Sequence, residues 1–316
     1  MHVAAGVDLG GTKIQTVVLR DREVAGSARA ETPRTGEAGD VIDAIAATVR
    51  AALAEAGSGD LEAVGIGSPG DVDANEGVVT LAANVPGFGG RVELGPRVSE
   101  QLDGLPVRLG NDVNLAVLGT WQRGAGRPYS NLLGVWAGTG VGGGLVLDGK
   151  LFTGRGAAGE FGHMCVRPGG LKCGCGRRGC VEAYAGRASM ERQARRLVKR
   201  GHKTSLFKIM EQRGRDRLTS GTFARALDGD DAMARKLIHQ AAWALGVGIA
   251  SAQNLLDLEA IVISGGLGDR LGKPFADRIV ANMEPHLFVR DDPPAVLGSG
   301  LGELTGAIGA AVFAGG

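Results

Sequence analysis

The sequence predicts an α/β protein made of two related domains that face one cleft. The chain has 316 residues, enough for two separate hydrophobic cores. Two stretches, beginning near Val3 and near Asn131, each open with short apolar strands joined by a glycine turn. The 55 glycines are well over twice the average share of about 7%. They cluster at the ends of apolar runs, where tight turns or close approach of the backbone to a ligand require them.

The first domain is predicted to begin with a β-hairpin and a third strand. The apolar runs Val3–Leu9 and Ile14–Arg20 flank a glycine turn, and a third run follows near Val24–Ala30. Helical periodicity over Val41–Ala56 stops at Gly57, which is typical of a helix C-terminus. Two buried strands and a helix complete the predicted elements: Leu61–Gly67, Leu105–Asn111 and Asp112 to about Arg123.

A linker is predicted at residues 124–128, GAGRP. The N-terminal α/β domain is expected to cover residues 1–122 and to be completed by a C-terminal helix over 301–316. The C-terminal α/β domain is then residues 123–300 and is mostly helical. Its predicted elements include two strands within residues 131–152, a long buried helix at Met233–Leu256 and a strand near Glu259–Gly266.

Charge and composition exclude several classes of partner. The formal net charge is +1 and aromatic residues are few, so neither nucleic acid nor an anionic membrane is expected to bind. The N-terminal stretch lacks a basic signal-peptide region, and the longest apolar run is too short to span a bilayer, so we expect a soluble, cytoplasmic protein. A basic run at 187–200 is interpreted as a solvated amphipathic helix, with an apolar face at Met190, Ala194, Leu197 and Val198.

The glycine patterns do not predict a dinucleotide site. The pattern G-x-G-x-x-G occurs, among other places, at Gly65–Gly70 and at Gly138–Gly143. A Rossmann site requires a helix directly after the glycines, whose N-terminus holds the pyrophosphate. Neither stretch is followed by a predicted helix, so both are interpreted differently.

Two turns are candidates for phosphate binding. Asp8 ends the first strand and is followed by two glycines, a hydroxyl and an ammonium group, at Gly10, Gly11, Thr12 and Lys13. The N–H groups of such a turn can hold phosphate oxygens, and a carboxylate can hold Mg²⁺ through water. A second glycine turn at residues 137–144 carries the hydroxyl of Thr139. Either turn alone is interpreted as an ordinary hairpin turn, but one in each half favours a nucleotide held between the domains.

Asp112 has two interpretations. It stands where a strand ends and a helix begins, with Asn111 before it and Asn114 after it. Taken alone, this position favours a helix N-cap, since aspartate is among the best capping residues. The alternative is a general base, because phosphoryl transfer to an alcohol needs one carboxylate that takes the hydroxyl proton. The asparagines would then orient sugar hydroxyls.

The cysteine-rich stretch KCGCGRRGCVEAY is interpreted as a structural zinc site. His163, Cys173, Cys175 and Cys180 provide one imidazole and three thiolates, a closed tetrahedral set. Disulfides are disfavoured because all four cysteines, including Cys165, lie within sixteen residues of a chain expected in a reducing compartment. The C-x-x-C pattern of thioredoxin-like redox sites is absent from the sequence.

Taken together, these motifs resemble the ROK family of bacterial sugar kinases and repressors over essentially the whole chain. The cysteine segment with its upstream E-x-G-H is the most specific part of the resemblance. The matching segments are DLGGTK from Asp8, GIGSPG from Gly65, NVPGF from Asn84, GNDVN from Gly110, GTGVGGG from Gly138, GEFGH from Gly159 and CGCGRRGCVE from Cys173.

The resemblance implies an actin-like ATPase fold of the ribonuclease H-like group, with the active site in the cleft between two α/β domains and a structural zinc loop at 163–182. It implies that Asp112 is the catalytic base. The implied sugar-binding residues are Asn84, Asn111, Asp112, Glu160, His163 and Glu182. The implied contacts of ATP and Mg²⁺ are Asp8, Gly10, Gly11, Thr12, Lys13, Gly138, Thr139, Gly265 and Gly266. Ser264 departs from the family pattern, which commonly has a third glycine there.

The resemblance also implies a function, the ATP-dependent phosphorylation of a hexose at its 6-hydroxyl. We expect glucose as the substrate. Kinases for N-acetylglucosamine and N-acetylmannosamine share all of these motifs and are the alternative. A repressor or a non-catalytic sugar-binding module is less favoured, because family repressors carry a DNA-binding domain ahead of the phosphate motif, which here starts at Asp8. Family members that use polyphosphate generally lack the cysteine segment, and members usually form homodimers or homotetramers.

Overall fold

A computed structural model shows that the chain divides into two compact units. The structure describes residues 3–21, 23–57, 60–82 and 84–315. Unit 1 comprises Met1–Pro128 and Ser299–Gly316, and unit 2 comprises Tyr129–Gly298. None of the helices in these described ranges is both long and apolar enough to cross a membrane.

Unit 1 is built on a mixed β-sheet. Its strands run in the order β3-β2-β1-β4-β7. β1 pairs antiparallel with β2 and parallel with β4, so the predicted opening hairpin is confirmed. β5 and β6 form a separate hairpin. In chain order the elements of the first segment are β1 (Val3–Leu9), β2 (Lys13–Arg20), β3 (Glu23–Glu31), α1 (Ala38–Glu55), β4 (Ala63–Ser68), β5 (Asp71–Asp73), β6 (Val78–Thr80), α2 (Leu94–Gln101), β7 (Val107–Asn111) and α3 (Asp112–Arg123).

The segment predicted as a linker, 124–128, belongs to unit 1. The N–H of Ala125 donates to the carbonyl of Ser299 at 3.1 Å, and the N–H of Gly126 donates to the carbonyl of Thr120 at 3.1 Å. These backbone hydrogen bonds tie the segment to both parts of unit 1, and for this reason the compact unit extends beyond residue 122 to Pro128.

Unit 2 has a sheet of the same design. Its strand order is β10-β9-β8-β11-β12, with β8 antiparallel to β9 and parallel to β11. Each unit thus has three antiparallel strands followed by two parallel ones, although the sequence shows no repeat. The elements are β8 (Leu132–Ala137), β9 (Val141–Leu147), β10 (Lys150–Phe152), α4 (Val181–Ala185), α5 (Arg187–Lys199), α6 (Leu206–Gln212), α7 (Ser220–Asp228), α8 (Ala232–Leu256), β11 (Ala260–Ser264), α9 (Gly265–Met283) and β12 (Ala295–Leu297).

A last helix, α10 (Thr305–Gly315), returns to unit 1. Its apolar residues form a buried cluster with two side chains of β2, and this cluster holds the helix against the sheet. The helix had been expected over 301–316. Residues 302–304 instead form a short 3₁₀ turn, and residue 316 lies outside the described residues. The cluster consists of Val17, Leu19, Ala307, Ile308 and Ala311.

The apolar face predicted for α5 is partly wrong. Met190 and Ala194 are buried as expected, but Val198 is 40% exposed because it lies in the last turn, where the helix ends. A polar residue takes part in the buried face instead. Gln193 is buried, and its Nε2 atom donates a hydrogen bond to the carbonyl of Ala183 at 3.1 Å.

Candidate functional site

Unit 1 brings the two acids singled out from the sequence to one edge of its sheet. β1, β4 and β7 run parallel, so their carboxyl ends lie at the same edge, where α/β proteins commonly bind ligands. The register pairs Asp8 of β1 with Gly67 of β4, and Gly67 with Gly110 of β7. Asp112 begins α3 directly after β7, so it lies at this edge as well.

Asn111, not Asp112, caps helix α3. The Oδ1 atom of Asn111 accepts hydrogen bonds from the N–H groups of Val113 and Asn114, each at 3.1 Å. Asp112 is the first helical residue, and its Oδ1 accepts from the Val113 N–H at 2.9 Å. The interpretation of Asp112 as the N-cap is therefore wrong, because its neighbour has the extended backbone and the hydrogen bonds that define a cap.

The first glycine turn is held tightly and lies against the loop that contains Asn84. The N–H of Gly10 donates to the carbonyl of Lys13 at 3.0 Å, and the hydroxyl of Thr32 donates to the carbonyl of Gly10 at 2.6 Å. Any side chain at Gly11 would overlap the carbonyl of Asn84. Glycine is thus required at this position, and the structure brings Asn84 next to the predicted phosphate turn.

Burial destabilises the ionised form of the Asp8 carboxyl group. Burial raises the pKa of Asp8 above its ordinary value, and the positive charge of Lys13 offsets part of that rise. Lys13 is shared with a second acid, since its Nζ atom lies 3.9 Å from the Oε2 of Glu303. A further cation near Asp8 would relieve the cost of its charge, which is the behaviour expected of a residue that holds magnesium.

Unit 2 brings the four predicted zinc ligands together. One ligand atom from each of His163, Cys173, Cys175 and Cys180 lies within 4.8 Å of all the others. Cys175 Sγ is 3.8 Å from Cys180 Sγ, and Cys173 Sγ is 3.9 Å from His163 Nδ1. Tetrahedral zinc with Zn–S bonds of about 2.3 Å has S–S edges of about 3.8 Å. The donor set and its spacing therefore fit a closed zinc site.

Cys165, the remaining cysteine, does not belong to this cluster. Cys165 is exposed, and its thiol donates to the carbonyl of Arg178 at 3.6 Å. Its backbone pairs with that of Cys180, and Lys172 pairs with Arg178, so two short antiparallel bridges shape the loop. All four cysteines lie in the described residues and are free thiols.

The thiols of the cluster differ in acidity. Burial raises the pKa of Cys173 to about 12. Burial acts in the same direction on Cys175, but the backbone N–H and side chain of Arg177, together with the thiols of Cys173 and Cys180, outweigh it and lower its pKa to about 6. One thiolate is thus already stabilised at neutral pH, and a divalent cation would favour the thiolate form of the others.

His163 connects the cysteine cluster to a predicted sugar residue. Its Nδ1 faces Cys173, while its Nε2 lies 4.0 Å from the Oε2 of Glu160. Histidines that bind zinc commonly present their second nitrogen to a carboxylate, which fixes the orientation of the ring. The structure therefore brings Glu160 and His163 together, with the Glu160 side chain 64% exposed.

Glu182 lies between the cysteine cluster and the second glycine turn. Its Oε2 accepts from the N–H of Val141 at 3.1 Å, and its Oε1 accepts from the thiol of Cys173 at 3.6 Å. A side chain at Gly140 would overlap the Oε2 atom, so any larger residue there would displace the Glu182 carboxylate from this position. Glu182 thereby connects the predicted metal site to the predicted phosphate turn, a relation that the sequence did not reveal.

The second glycine turn joins β8 to β9 and is held by the start of α5. The N–H of Gly138 donates to the carbonyl of Gly140 at 2.9 Å. The N–H groups of Arg187 and Ala188 donate to the carbonyls of Gly138 and Thr139, at 3.1 and 3.0 Å. The carbonyls of Gly138 and Thr139 are thus occupied by α5.

The glycines predicted on the adenosine side lie next to this turn. Gly265 follows β11, which is parallel to β8, and has a left-handed φ of 80°. A Cβ at Gly265 would lie 3.0 Å from the backbone of Ala137. The structure therefore places Gly265 and Gly266 at the same edge of the unit 2 sheet as Thr139. Ser264 is buried and donates to Asp269 Oδ1 at 2.9 Å.

Comparison with known proteins decides the family. Residues 4–316 match the ROK family. The chain belongs to the ROK family. This ROK protein is 33% identical over 320 residues to a glucokinase of Streptomyces coelicolor, an alignment that covers 99% of this chain and 98% of the relative. The resemblance inferred from the motifs is confirmed, and so is the actin-like α/β fold.

Two further comparisons cover nearly the whole ROK chain. A solved ROK family glucokinase from Streptomyces griseus, in complex with glucose and AMPPNP, is 33% identical with a TM-score of 0.82, and 99% of each chain is covered. An N-acetylmannosamine kinase of Shigella boydii is 32% identical over 317 residues, which cover 98% of this chain and 97% of the relative.

Proposed function

We propose that this ROK protein is an ATP-dependent glucokinase, which transfers the terminal phosphoryl group of ATP to the 6-hydroxyl of glucose. The observation that carries the proposal is the likeness over 99% of both chains to a glucokinase solved with glucose and AMPPNP. The site residues agree with this chemistry, since phosphoryl transfer depends on positioning, charge neutralisation and one carboxylate that accepts the hydroxyl proton.

In this proposal Asp112 is the base. It lies at the carboxyl edge of the unit 1 sheet and is not the cap of α3. Asn111 uses its Oδ1 in the cap, so its amide Nδ2 would donate to a sugar hydroxyl. The remaining proposed sugar contacts are Asn84, Glu160, His163 and Glu182.

The donor would be held by the two glycine turns. In unit 1 the proposed contacts are Asp8, Gly10, Gly11, Thr12 and Lys13, and in unit 2 they are Gly138, Thr139, Gly265 and Gly266. Magnesium bound to ATP neutralises the charge that develops on the phosphates, and Asp8 would hold it there. Zinc held by His163, Cys173, Cys175 and Cys180 would be structural, because four protein ligands leave no position for a substrate.

A second candidate function is phosphorylation of an N-acetylated hexosamine. It is favoured by the 32% identity to an N-acetylmannosamine kinase over 98% of the chain. The two candidates differ only in what the pocket accepts at carbon 2 of the sugar, because the proposed contacts address groups that these sugars share.

Kinetics with a panel of sugars tests both candidates. We expect ADP formation with ATP, Mg²⁺ and glucose, and a kcat/KM for glucose at least about tenfold above that for mannose, N-acetylglucosamine and N-acetylmannosamine. A higher value for an acetylated sugar would favour the second candidate. If none of the four sugars supports ADP formation, the chain is not a hexokinase.

Replacing Asp8 by asparagine is expected to raise thermal stability at neutral pH and to lower activity. Because the pKa of Asp8 is higher in the folded state than in the unfolded state, ionisation of Asp8 destabilises the folded protein. This destabilisation is present at neutral pH and disappears as the pH falls below the unfolded pKa of about 3.9. Asp8→Asn should therefore raise the Tm of the nucleotide-free protein at neutral pH and leave it nearly unchanged near pH 4. Without the carboxylate, kcat with MgATP should fall on the order of a hundredfold.

Thermal melts across this pH range and steady-state kinetics measure the two effects. Asp21→Asn is a suitable control, since Asp21 is an exposed residue of unit 1 outside the proposed site. A lower Tm at neutral pH for Asp8→Asn would contradict the assignment of Asp8 as a strained, functional acid.

We also propose that the enzyme acts in the cytoplasm as a homodimer or homotetramer. The support for this assembly is the family resemblance alone. Light scattering coupled to size-exclusion chromatography measures the molar mass in solution, and the mass of a monomer would contradict the proposal.

A further inference from the structure

Arg187, the first residue of α5, is a cation without a carboxylate partner in the described part of the chain. It takes part in no ion pair found among the described residues, and burial lowers the pKa of its guanidinium. Its Nε atom is buried and makes no hydrogen bond within the described part of the chain. Arg187 is half-buried, and a partly buried charge without a counter-charge is destabilising, so its presence beside a candidate anion site calls for an explanation.

The guanidinium joins three elements at the carboxyl edge of the unit 2 sheet. Its Nη2 donates to the Oγ1 of Thr139 at 2.9 Å, in the turn between β8 and β9. Its Nη1 donates at 3.2 Å to the Oγ of Ser220, the first residue of α7. Gly266, in the first turn of α9, completes the set: a Cβ there would lie 3.1 Å from Nη1 and 3.2 Å from the Ser220 oxygen.

These hydrogen bonds set the polarity of the two hydroxyl groups. A guanidinium only donates, so the oxygens of Thr139 and Ser220 accept from Arg187 and must direct their own hydrogens elsewhere. Phosphate oxygens only accept, which makes such hydroxyls suitable partners. The N-terminus of α5 is not available for this task, because its first N–H groups already donate to the carbonyls of Gly138 and Thr139.

We propose that Arg187 is a positioning residue of the donor site, which holds the hydroxyls of Thr139 and Ser220 as hydrogen-bond donors toward a phosphate oxygen of the nucleotide. The bound anion supplies the negative charge that the described part of the chain does not place beside Arg187. The identity of the anion as a nucleotide phosphate rests on the proposed kinase function.

Nucleotide binding to Arg187→Met tests the proposal. The dissociation constant of ADP is measured by calorimetry, and that of adenosine by competition against ADP. We expect ADP to bind at least about tenfold more weakly and adenosine to change less than about twofold, because only ADP carries phosphates. Arg192→Met is the matched control: Arg192 lies on the same helix and donates to Ser189 Oγ at 2.8 Å, away from the turn. An equal loss for ADP and adenosine, or no loss for ADP, overturns the proposal.

A double-mutant cycle separates positioning from a merely structural role. If Arg187 acts through Thr139, the ADP affinity of Arg187→Met combined with Thr139→Val should be within about threefold of the weaker single variant rather than the product of both losses. Additive losses contradict the coupling. Should Arg187→Met not fold, Arg187→Lys replaces it, since lysine keeps the charge but cannot reach both hydroxyls in one geometry. ADP binding should then weaken about threefold or more with adenosine unchanged, and an equal loss again overturns the proposal.

The binding measurements do not depend on kinase activity. ADP and adenosine binding report on Arg187 even if the wild-type protein phosphorylates none of the sugars tested. In an active enzyme the same variant should raise the KM for ATP about tenfold and leave the KM for glucose within about twofold.

Discussion

Asp112→Asn is expected to abolish turnover, with kcat reduced by about 10³- to 10⁴-fold and glucose binding within about tenfold of the wild type. The amide has nearly the shape of the carboxylate but cannot take the proton of the 6-hydroxyl. Because the cap of α3 is formed by Asn111, and because the Oδ1 of an asparagine at 112 can still accept from the Val113 N–H, Tm should change little.

Steady-state kinetics and glucose calorimetry measure these effects. Asp43→Asn, an exposed position in α1, is a matched control that should behave like the wild type in both assays. A near-normal kcat for Asp112→Asn would exclude Asp112 as the base. A large fall in Tm would show that the residue is mainly structural.

Cys175→Ala is expected to lower zinc content, thermal stability and sugar affinity together. The substitution removes one of four converging ligands, and it is the thiol with the lowered pKa of about 6. Bound metal normally contributes to folding free energy, so Tm should fall by several degrees or more. The KM for glucose should rise about tenfold, because His163 is itself one of the four ligands, Glu182 contacts Cys173 and Glu160 lies beside His163.

Zinc is measured by elemental analysis of purified protein, alongside melting and kinetic assays. Cys165→Ala is the matched control, since Cys165 lies in the same segment but outside the cluster. It should keep the metal, the Tm and the KM of the wild type. A zinc-free Cys175→Ala protein with normal glucose affinity would show that the metal does not organise the sugar site.

The elements recognised most directly from the sequence were those whose signal is local. The opening hairpin, whose first strand is Val3–Leu9, follows from a local apolar run. The long helix at 232–256 follows from the periodicity of its own apolar residues. The group of candidate zinc ligands is similar, because His163 and three cysteines lie within a short segment and chemistry restricts what such a set can bind.

The predictions that were wrong or missing concern residues whose role depends on the conformation of another residue or on contact with it. Asn111 and Asp112 are adjacent good capping residues, and only backbone conformation decided which one caps α3. Arg187 looked like part of a solvated basic helix, since nothing in its own stretch indicates Thr139 or Ser220. One signal was present: an arginine three residues beyond the end of the cysteine-rich stretch, at the start of a helix.

The sequence by itself determined the family, the α/β class, the candidate donor set for zinc and the acids proposed to act in the reaction, because these depend on residue type and short spacing. The tertiary structure decided that both units share one strand order, that Asp8 and Asp112 lie at the same sheet edge, and that Glu182 connects the cysteine cluster to the second glycine turn. Those relations join residues far apart in the chain. They arise only when strands pair and burial brings distant side chains into contact.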